Sequence, residues 1–600
     1  MKIYINNIFK RYINKGLQRT YYIPIIALCF LSLISCVGED FNDCNSEGIN
    51  MGGISSLPNC YIQLNINFPT EVSSRSTTKD DGSGNSYDGT KDAIAAENAI
   101  NSLHLYFFDN SNSTDKGKFL CELSATTTDL TVGTGANANK HTFTQKVEIA
   151  NLKKILGKKL RIYALANLSS YPTVTETTTE ADFLNNYYSG TSYTGAFAET
   201  SESTTTYGRN CPMANYDYFE GDFEAAGSLG ENPTDSEVIL AAEKIFTGAY
   251  TGTNAKPGDK LYTFSNALEL ERMVARLDFK AAEGETINGE KYDYVYKLPN
   301  AECTITACNS SDGGVYLQLA DLTVNKITGS AYYFRHTAAG NSLAAGTPLK
   351  VFGKENVDGS TDTPSGADEE DEDGDGEGNE ETPELPSYNW IASHNWTSSR
   401  SYTSSDAFTP SEICAWLTSG DSYVEKTEWY SPWYYVNENT VSSTADMDLD
   451  HCTYIEFKFL LWDATTQLPY KKPTVSGGTG EDTQAQATAD TEEEVRITMT
   501  GGDKNGYYKI LGSDKDGYYL IYKYMIPHHL PTPSGSVDGD TGSLTGTKAP
   551  MQYGVVRNNV YQIGFNGLTS LPSPHEPDNF YLSINIKILA WVKRDITVSW

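Results

Sequence analysis

Tyr61-Ile62-Gln63-Leu64-Asn65-Ile66-Asn67-Phe68 decides the reading of this chain. Ile62, Leu64, Ile66 and Phe68 fall on one face, and Gln63, Asn65 and Asn67 on the other. Period-two alternation predicts a half-buried strand. The strand stands alone, with a cysteine-bearing leader before it and a long polar run after it. That run, residues 73–92, is rich in Ser, Thr, Gly and Asp, holds Arg75, and is too polar to order itself by burial. A second alternating stretch closes the chain. There Leu582, Ile584, Ile586 and Ile588 alternate with Ser583, Asn585 and Lys587.

Outward from the first strand toward the N-terminus, the sequence reads as an export signal. Lys2, Lys10, Arg11, Lys15 and Arg19 precede a short apolar core at residues 23–34. That core is too short for a membrane span. Leu33-Ile34-Ser35-Cys36 then matches a lipobox, which makes Cys36 the expected lipidation site, with an acyl chain such as palmitate. Residues 1–35 are the expected lipoprotein signal peptide.

Toward the C-terminus, short alternating runs recur with Gly, Asn and Pro turns. Strands are expected at residues 101–109, 160–167, 315–324, 454–462, 495–500, 518–524 and 555–565. A short helix is expected at 236–245, within a stretch from 173 to 256 that otherwise reads as loops. In Met273-Val274-Ala275-Arg276-Leu277-Asp278-Phe279 the alternation buries Met273, Ala275, Leu277 and Phe279. It points Arg276 and Asp278 outward. Two polar, acidic insertions, 366–385 and 474–493, interrupt this second half. The fold class is all-β, with β-sandwiches, long loop insertions and few short helices.

Six hundred residues exceed one core, so at least two domains are expected. A net charge of −33 argues against nucleic acid or an anionic membrane surface as partner. Of ten cysteines, Cys29 lies in the signal and Cys36 at the lipid site, leaving eight in an oxidising compartment. Cys303 and Cys308 are close enough in sequence to bridge a hairpin, but the pairing is not legible.

Candidate chemistry is sparse. Asp371, Asp373, Asp375 and Gly376 match the first half of an EF-hand loop, but the twelfth position is Thr382, so a solvated acidic loop is favoured over calcium. His528 and His529 point to opposite faces of a strand and do not chelate together. His394, His451 and His575 lack ligand spacing. There is no GxSxG, HExxH or P-loop, so no catalytic residue, metal site or cofactor is expected. Trp390, Trp396, Trp416, Trp429 and Trp433 cluster in sequence, and a core role is favoured over a sugar platform.

Taken together, the lipobox, YIQLNINFPTEVSSRST, LRIYALANLS, LERMVARLDF and GVVRNNVYQIGFNGL…FYLSINIKILAW resemble a Bacteroidales fimbrillin, most like minor-fimbria shaft proteins of the type V pilus. Glu39-Asp40 resembles the surface-export tag of such lipoproteins. The resemblance implies two transthyretin-like β-sandwich domains, here 76–266 and 267–600, behind a lipidated propeptide at 36–75. It implies transport to the cell outer membrane, then cleavage by an arginine-specific protease between Arg75 and Ser76. The strand carrying Ile62, Leu64, Ile66 and Phe68 would leave. The donor strand of a neighbour, carrying Leu582, Ile584, Ile586 and Ile588, would fill the groove. The implied product is a cell-surface fimbrium (pilus) supporting cell adhesion. Its implied partners are copies of itself, accessory fimbrial subunits and host or bacterial surface receptors. On this reading Ile586→Asp blocks assembly and leaves the fold intact. The alternatives are a fimbrial anchor or tip subunit, or a monomeric glycan-binding surface lipoprotein.

Overall fold

In the computed structural model, the residues described are 57–68, 90–338, 349–356, 390–392, 401–413, 430–471, 494–528, 552–572 and 582–593, apart from short gaps within these ranges. Cys36, Arg75, Ser76, the 371–382 loop, Trp396, Trp416, Trp429, His394, His529 and His575 lie outside them, as do both acidic insertions. Residues 57–600 form one compact unit.

The strand read first from the sequence is β1, Cys60–Asn67. After it come β2 (Thr90–Ala93) and the one-turn helix α1 (Ala95–Asn98). Then follow β3 (Ser102–Asp109), β4 (Phe119–Thr126), β5 (Leu130–Val132), β6 (His141–Val147), β7 (Lys159–Ala166), β8 (Met213–Asn215) and the long β9 (Lys260–Arg272). These run in the order β4-β3-β7-β8-β9-β1-β6-β5. The first core lies on their inner faces, with Ile62, Leu64, Ile66, Leu105, Phe107, Phe143, Ile162 and Leu268 each fully buried. α2 (Asp235–Ala242) also packs there through Val238 and Ala242; its N-cap Thr234 accepts from the Glu237 amide.

At Met273 the chain leaves this sheet, and β10 (Val274–Ala281) begins a second core. The remaining strands are β11 (Val295–Leu298), β12 (Val315–Asn325), β13 (Ser431–Asn437), β14 (Tyr454–Asp463), β15 (Leu468–Pro469), β16 (Gly517–Met525), β17 (Asn559–Leu568) and β18 (Leu582–Lys593). One sheet has the order β2-β18-β17-β10-β13, and the facing one β11-β12-β14-β16. Leu277, Phe279, Leu317, Phe457, Phe459, Ile563 and Phe565 fill the space between them. An all-β fold of packed sheets with few short helices is therefore what the sequence encodes.

Several expectations need correction. Residues 173–256 were read as loops with short helices, yet β8 and the strand Phe219–Asp222 lie there and extend the first sheet. The alternating run from Met273 lies in β10 apart from its first residue, where a break separates β9 from β10. Arg276 and Asp278 do not face outward, being 1% and 0% exposed. β10 lies between the two cores, so both its faces are covered. Cys303 and Cys308 are buried free thiols, like Cys60, Cys121, Cys211 and Cys452.

Candidate functional site

The site grows from β1, whose alternation sends every second side chain inward. Cys60, Ile62, Leu64 and Ile66 are at most 1% exposed, and Phe68 just beyond the strand is 5%. β1 is no edge strand. It pairs in parallel with β9, from Cys60 opposite Lys260 to Asn67 opposite Glu269, and antiparallel with β6, from Cys60 opposite Val147 to Ile66 opposite His141. β9 bulges between the partners of Gln63 and Asn65. With β1 gone, β9 and β6 would both lose a full row of hydrogen bonds, and only the two-stranded β5–β6 ribbon would stand beyond the gap.

Both ends of β1 are pinned. The Asn59 amide donates to Asp259 Oδ1 at 2.8 Å, and Tyr61 stacks on Tyr250 at 3.7 Å between centroids. At the far end the Arg272 guanidinium lies 5.1 Å from the centre of the Phe68 ring, and His141 meets its edge. On the outer face Gln63 Nε2 donates to Thr144 Oγ1 at 3.2 Å, and Thr142 donates to Asn65 at 3.3 Å. Burial, reinforced by the nearby Glu243 and Asp259 carboxylates, pushes the Cys60 thiol up to about 11, so it stays protonated.

The second alternating stretch is already placed. β18 pairs antiparallel with β17 from Leu582 opposite Leu568 to Ala590 opposite Asn559. β2 pairs in parallel on its other edge, opposite Ala590 to Lys593. Leu582, Ile586 and Ile588 are buried in the chain's own second core, and Ile584 is half-buried against it. This corrects the expectation that Ile586→Asp leaves the fold intact: at 1% exposure the carboxylate would have no water to solvate it.

Sequence reasoning missed a buried ionic cluster between the two cores. Glu97, on α1, accepts from the Ile94 amide at 2.8 Å, from Arg276 Nη1 at 2.9 and 3.0 Å, and from the Tyr435 hydroxyl at 2.6 Å. Arg276 Nε and Nη2 donate to Asp278 at 2.7 and 3.1 Å. Arg272 donates to the Glu97 carbonyl at 3.1 Å and also reaches Asn98 and Asn558. Arg557 grips Glu438 at 3.0 and 3.1 Å and donates to the Tyr332 and Tyr333 carbonyls. Arg335 pairs with Glu271. Four arginines thus face four carboxylates, all buried. Desolvation works against the Arg276 charge, but the Asp278 and Glu97 carboxylates outweigh it and raise its pKa. Burial raises the Glu271 carboxyl. The available signal was a pair of charges inside an apolar strand, and it was read as solvent-facing.

Among the other sequence candidates, Trp433 is fully buried in the second core. His528 Nδ1 lies 2.8 Å from the Tyr561 hydroxyl, and His451 pairs with Asp448 at 2.6 Å. Trp390 lies in the strand Trp390–Ala392. Among the described residues no group of three or more His, Cys, Asp or Glu side chains could hold a metal ion, and no helix is long and apolar enough to cross a membrane.

Residues 518–597 match the family model of the major fimbrial subunit protein type IV, fimbrillin, C-terminal. That span includes β17 and β18. No curated protein matches the chain in sequence. Among solved structures, a fimbrilin from Porphyromonas gingivalis W83 is 13% identical, covering 89% of this chain and 98% of that one, with a TM-score of 0.33. The tip fimbrial protein Mfa3 from Porphyromonas gingivalis, with C-terminal truncation, is 12% identical over 89% and 100%, with a TM-score of 0.30. A putative cell adhesion protein from Parabacteroides distasonis is 12% identical over 89% and 100%, with a TM-score of 0.34. Scores this low decide nothing about function. Residues 518–597, which hold β17 and β18, are thus similar to the C-terminal part of fimbrillins.

Proposed function

We propose that the chain is a subunit of a cell-surface fimbrium that supports adhesion. It is exported with lipid on Cys36, cut between Arg75 and Ser76, and polymerised by donor-strand exchange. The observation that carries this reading is the position of β1. It is an interior strand of a sheet, paired on both edges, with its apolar face fully buried, and it precedes the arginine-bearing segment in sequence. Cleavage there turns an internal strand into a noncovalently held one. Its departure opens a groove lined by β9 and β6 that an alternating apolar strand satisfies in both backbone and side chains. The neighbour's segment with Leu582, Ile584, Ile586 and Ile588 has that pattern. To donate it, the neighbour must first release β18 from β17 and β2, so assembly exchanges one set of pairings for another.

The pairing of β18 within its own sheet favours a second reading, in which the chain keeps β1 and serves as a fimbrial anchor or tip. One measurement separates the two: the N-terminus and intact mass of protein sheared from the cell surface. A lipid-free start at Ser76 is expected for the polymerising subunit. A start at acylated Cys36 overturns it in favour of the anchor.

A further inference from the structure

A cavity of about 690 Å³ opens on the outer side of the β12–β14 sheet, away from β1 and β18. Its volume lies inside the range of about 300–1,000 Å³ usual for small-molecule sites. Two irregularities shape it. β12 bulges between Leu319 and Asp321, and the Leu319 amide is met by the carbonyl of Tyr294 at 2.8 Å. Tyr294 holds a φ of 64°, a conformation a bulky side chain rarely adopts. Eight described non-glycine residues have positive φ, and five are asparagines. Of the other three, Tyr294 lines this cavity and Gln467 sits between its lining residues Thr466 and Leu468. Bulges and strained backbone gather where a side chain must be re-aimed.

The cavity wall carries both hydrogen-bonding and apolar side chains. Lys458 Nζ is held by Asp514 at 2.7 Å and lies 3.7 Å from Asp321, so its charge is spoken for. Gln318, Asp516, Thr466 and Lys471 line the same space, and their side chains have no hydrogen-bond partner among the described residues. Leu468, 61% exposed, and Pro469 form an apolar lip. A ligand here must donate to carboxylates, accept from an ammonium, and lay a C–H face on leucine and proline. Asp321 and Asp516 balance Lys458 and Lys471 along the lining, so the wall carries no net charge and matches a neutral ligand.

We propose that this cavity is a binding site for a neutral oligosaccharide, with Gln318, Asp516 and Lys471 reading its hydroxyls and Leu468 carrying a ring face. Hydroxyls both donate and accept, so one ligand class meets every group on the wall. The site is independent of strand exchange and stands whether or not the chain is cut at Arg75.

The test is an array of neutral, sialylated and sulfated oligosaccharides probed with the unpolymerised full chain. The strongest neutral glycan is then titrated against Gln318→Ala and Lys471→Ala. The expected result is neutral binding that weakens tenfold or more in each variant, with the thermal midpoint unchanged. Lys471 is exposed, so its variant reports on binding even if Gln318→Ala perturbs the fold. No neutral binding, a preference for anionic glycans, or affinity unchanged in Lys471→Ala would each overturn the proposal.

Discussion

Leu64→Ala is the sharpest probe of β1. Leu64 is fully buried at the centre of the strand, with β9 on one side and β6 on the other. Truncating a leucine in such a site costs about 2–5 kcal/mol, since contacts are lost and the void closes only partly. In the intact chain that cost appears as global destabilisation. In a protein split between Arg75 and Ser76, with both pieces made together, it falls on retention of the small piece. A loss of about 3 kcal/mol is a little more than a hundredfold in the equilibrium, and the change should reside mainly in the release rate. The assay is release of the piece bearing β1, followed by a fluorescent label on its N-terminus during dilution. Gln63→Ala is the control. It loses a half-exposed hydrogen bond to Thr144, worth about 0.5–1.5 kcal/mol, so it should release only slightly faster. If Leu64→Ala and Gln63→Ala release alike, β1 is not held by its apolar face, and the groove argument fails.

Three further outcomes follow from the same structure. Cys60 should resist alkylation at pH 8 while β1 is in place and react once the split piece is released, where its thiol returns toward about 8.5; mass spectrometry of iodoacetamide adducts reads this. Glu97→Ala should cost about 3–5 kcal/mol in urea denaturation, because Arg276 keeps a buried charge with one partner fewer; Glu97→Gln should cost less. His336 is fully buried and burial lowers its pKa to about 4, so between about 6.5 and 4 the unfolded chain binds a proton the folded chain does not. Its contribution is complete above about pH 6.5 and falls by up to about 3 kcal/mol as pH drops toward 4. His336→Phe should flatten the stability curve in that window; an unchanged slope would refute the assignment.

Much of the fold was legible because an alternating strand announces its buried face. The strand expected at 454–462 is Tyr454–Asp463, and that expected at 101–109 is Ser102–Asp109. What alternation does not say is what covers the other face. Arg276 and Asp278 read as solvent-facing under a one-core assumption, whereas β10 has a core on each side. Pairing partners were equally hidden. Nothing local in Ile62 to Phe68 specifies that β1 joins β9, some two hundred residues later, in parallel. For the candidate site, the composition of β1 was readable and its central rank in the sheet was not. The 690 Å³ cavity drew no expectation, since its residues come from five separated segments, none of which forms a motif alone.

The ionic cluster also constrains how this chain can change over time. Four positive and four negative side chains are shut away from water together, so a single replacement strands an opposite charge, and the first step of any double change passes through a damaged fold. Variation there should arrive in matched pairs: Glu97 with Arg276, Glu438 with Arg557, Glu271 with Arg335. Positions far apart in sequence would then share one evolutionary fate, while the exposed loops around them drift freely.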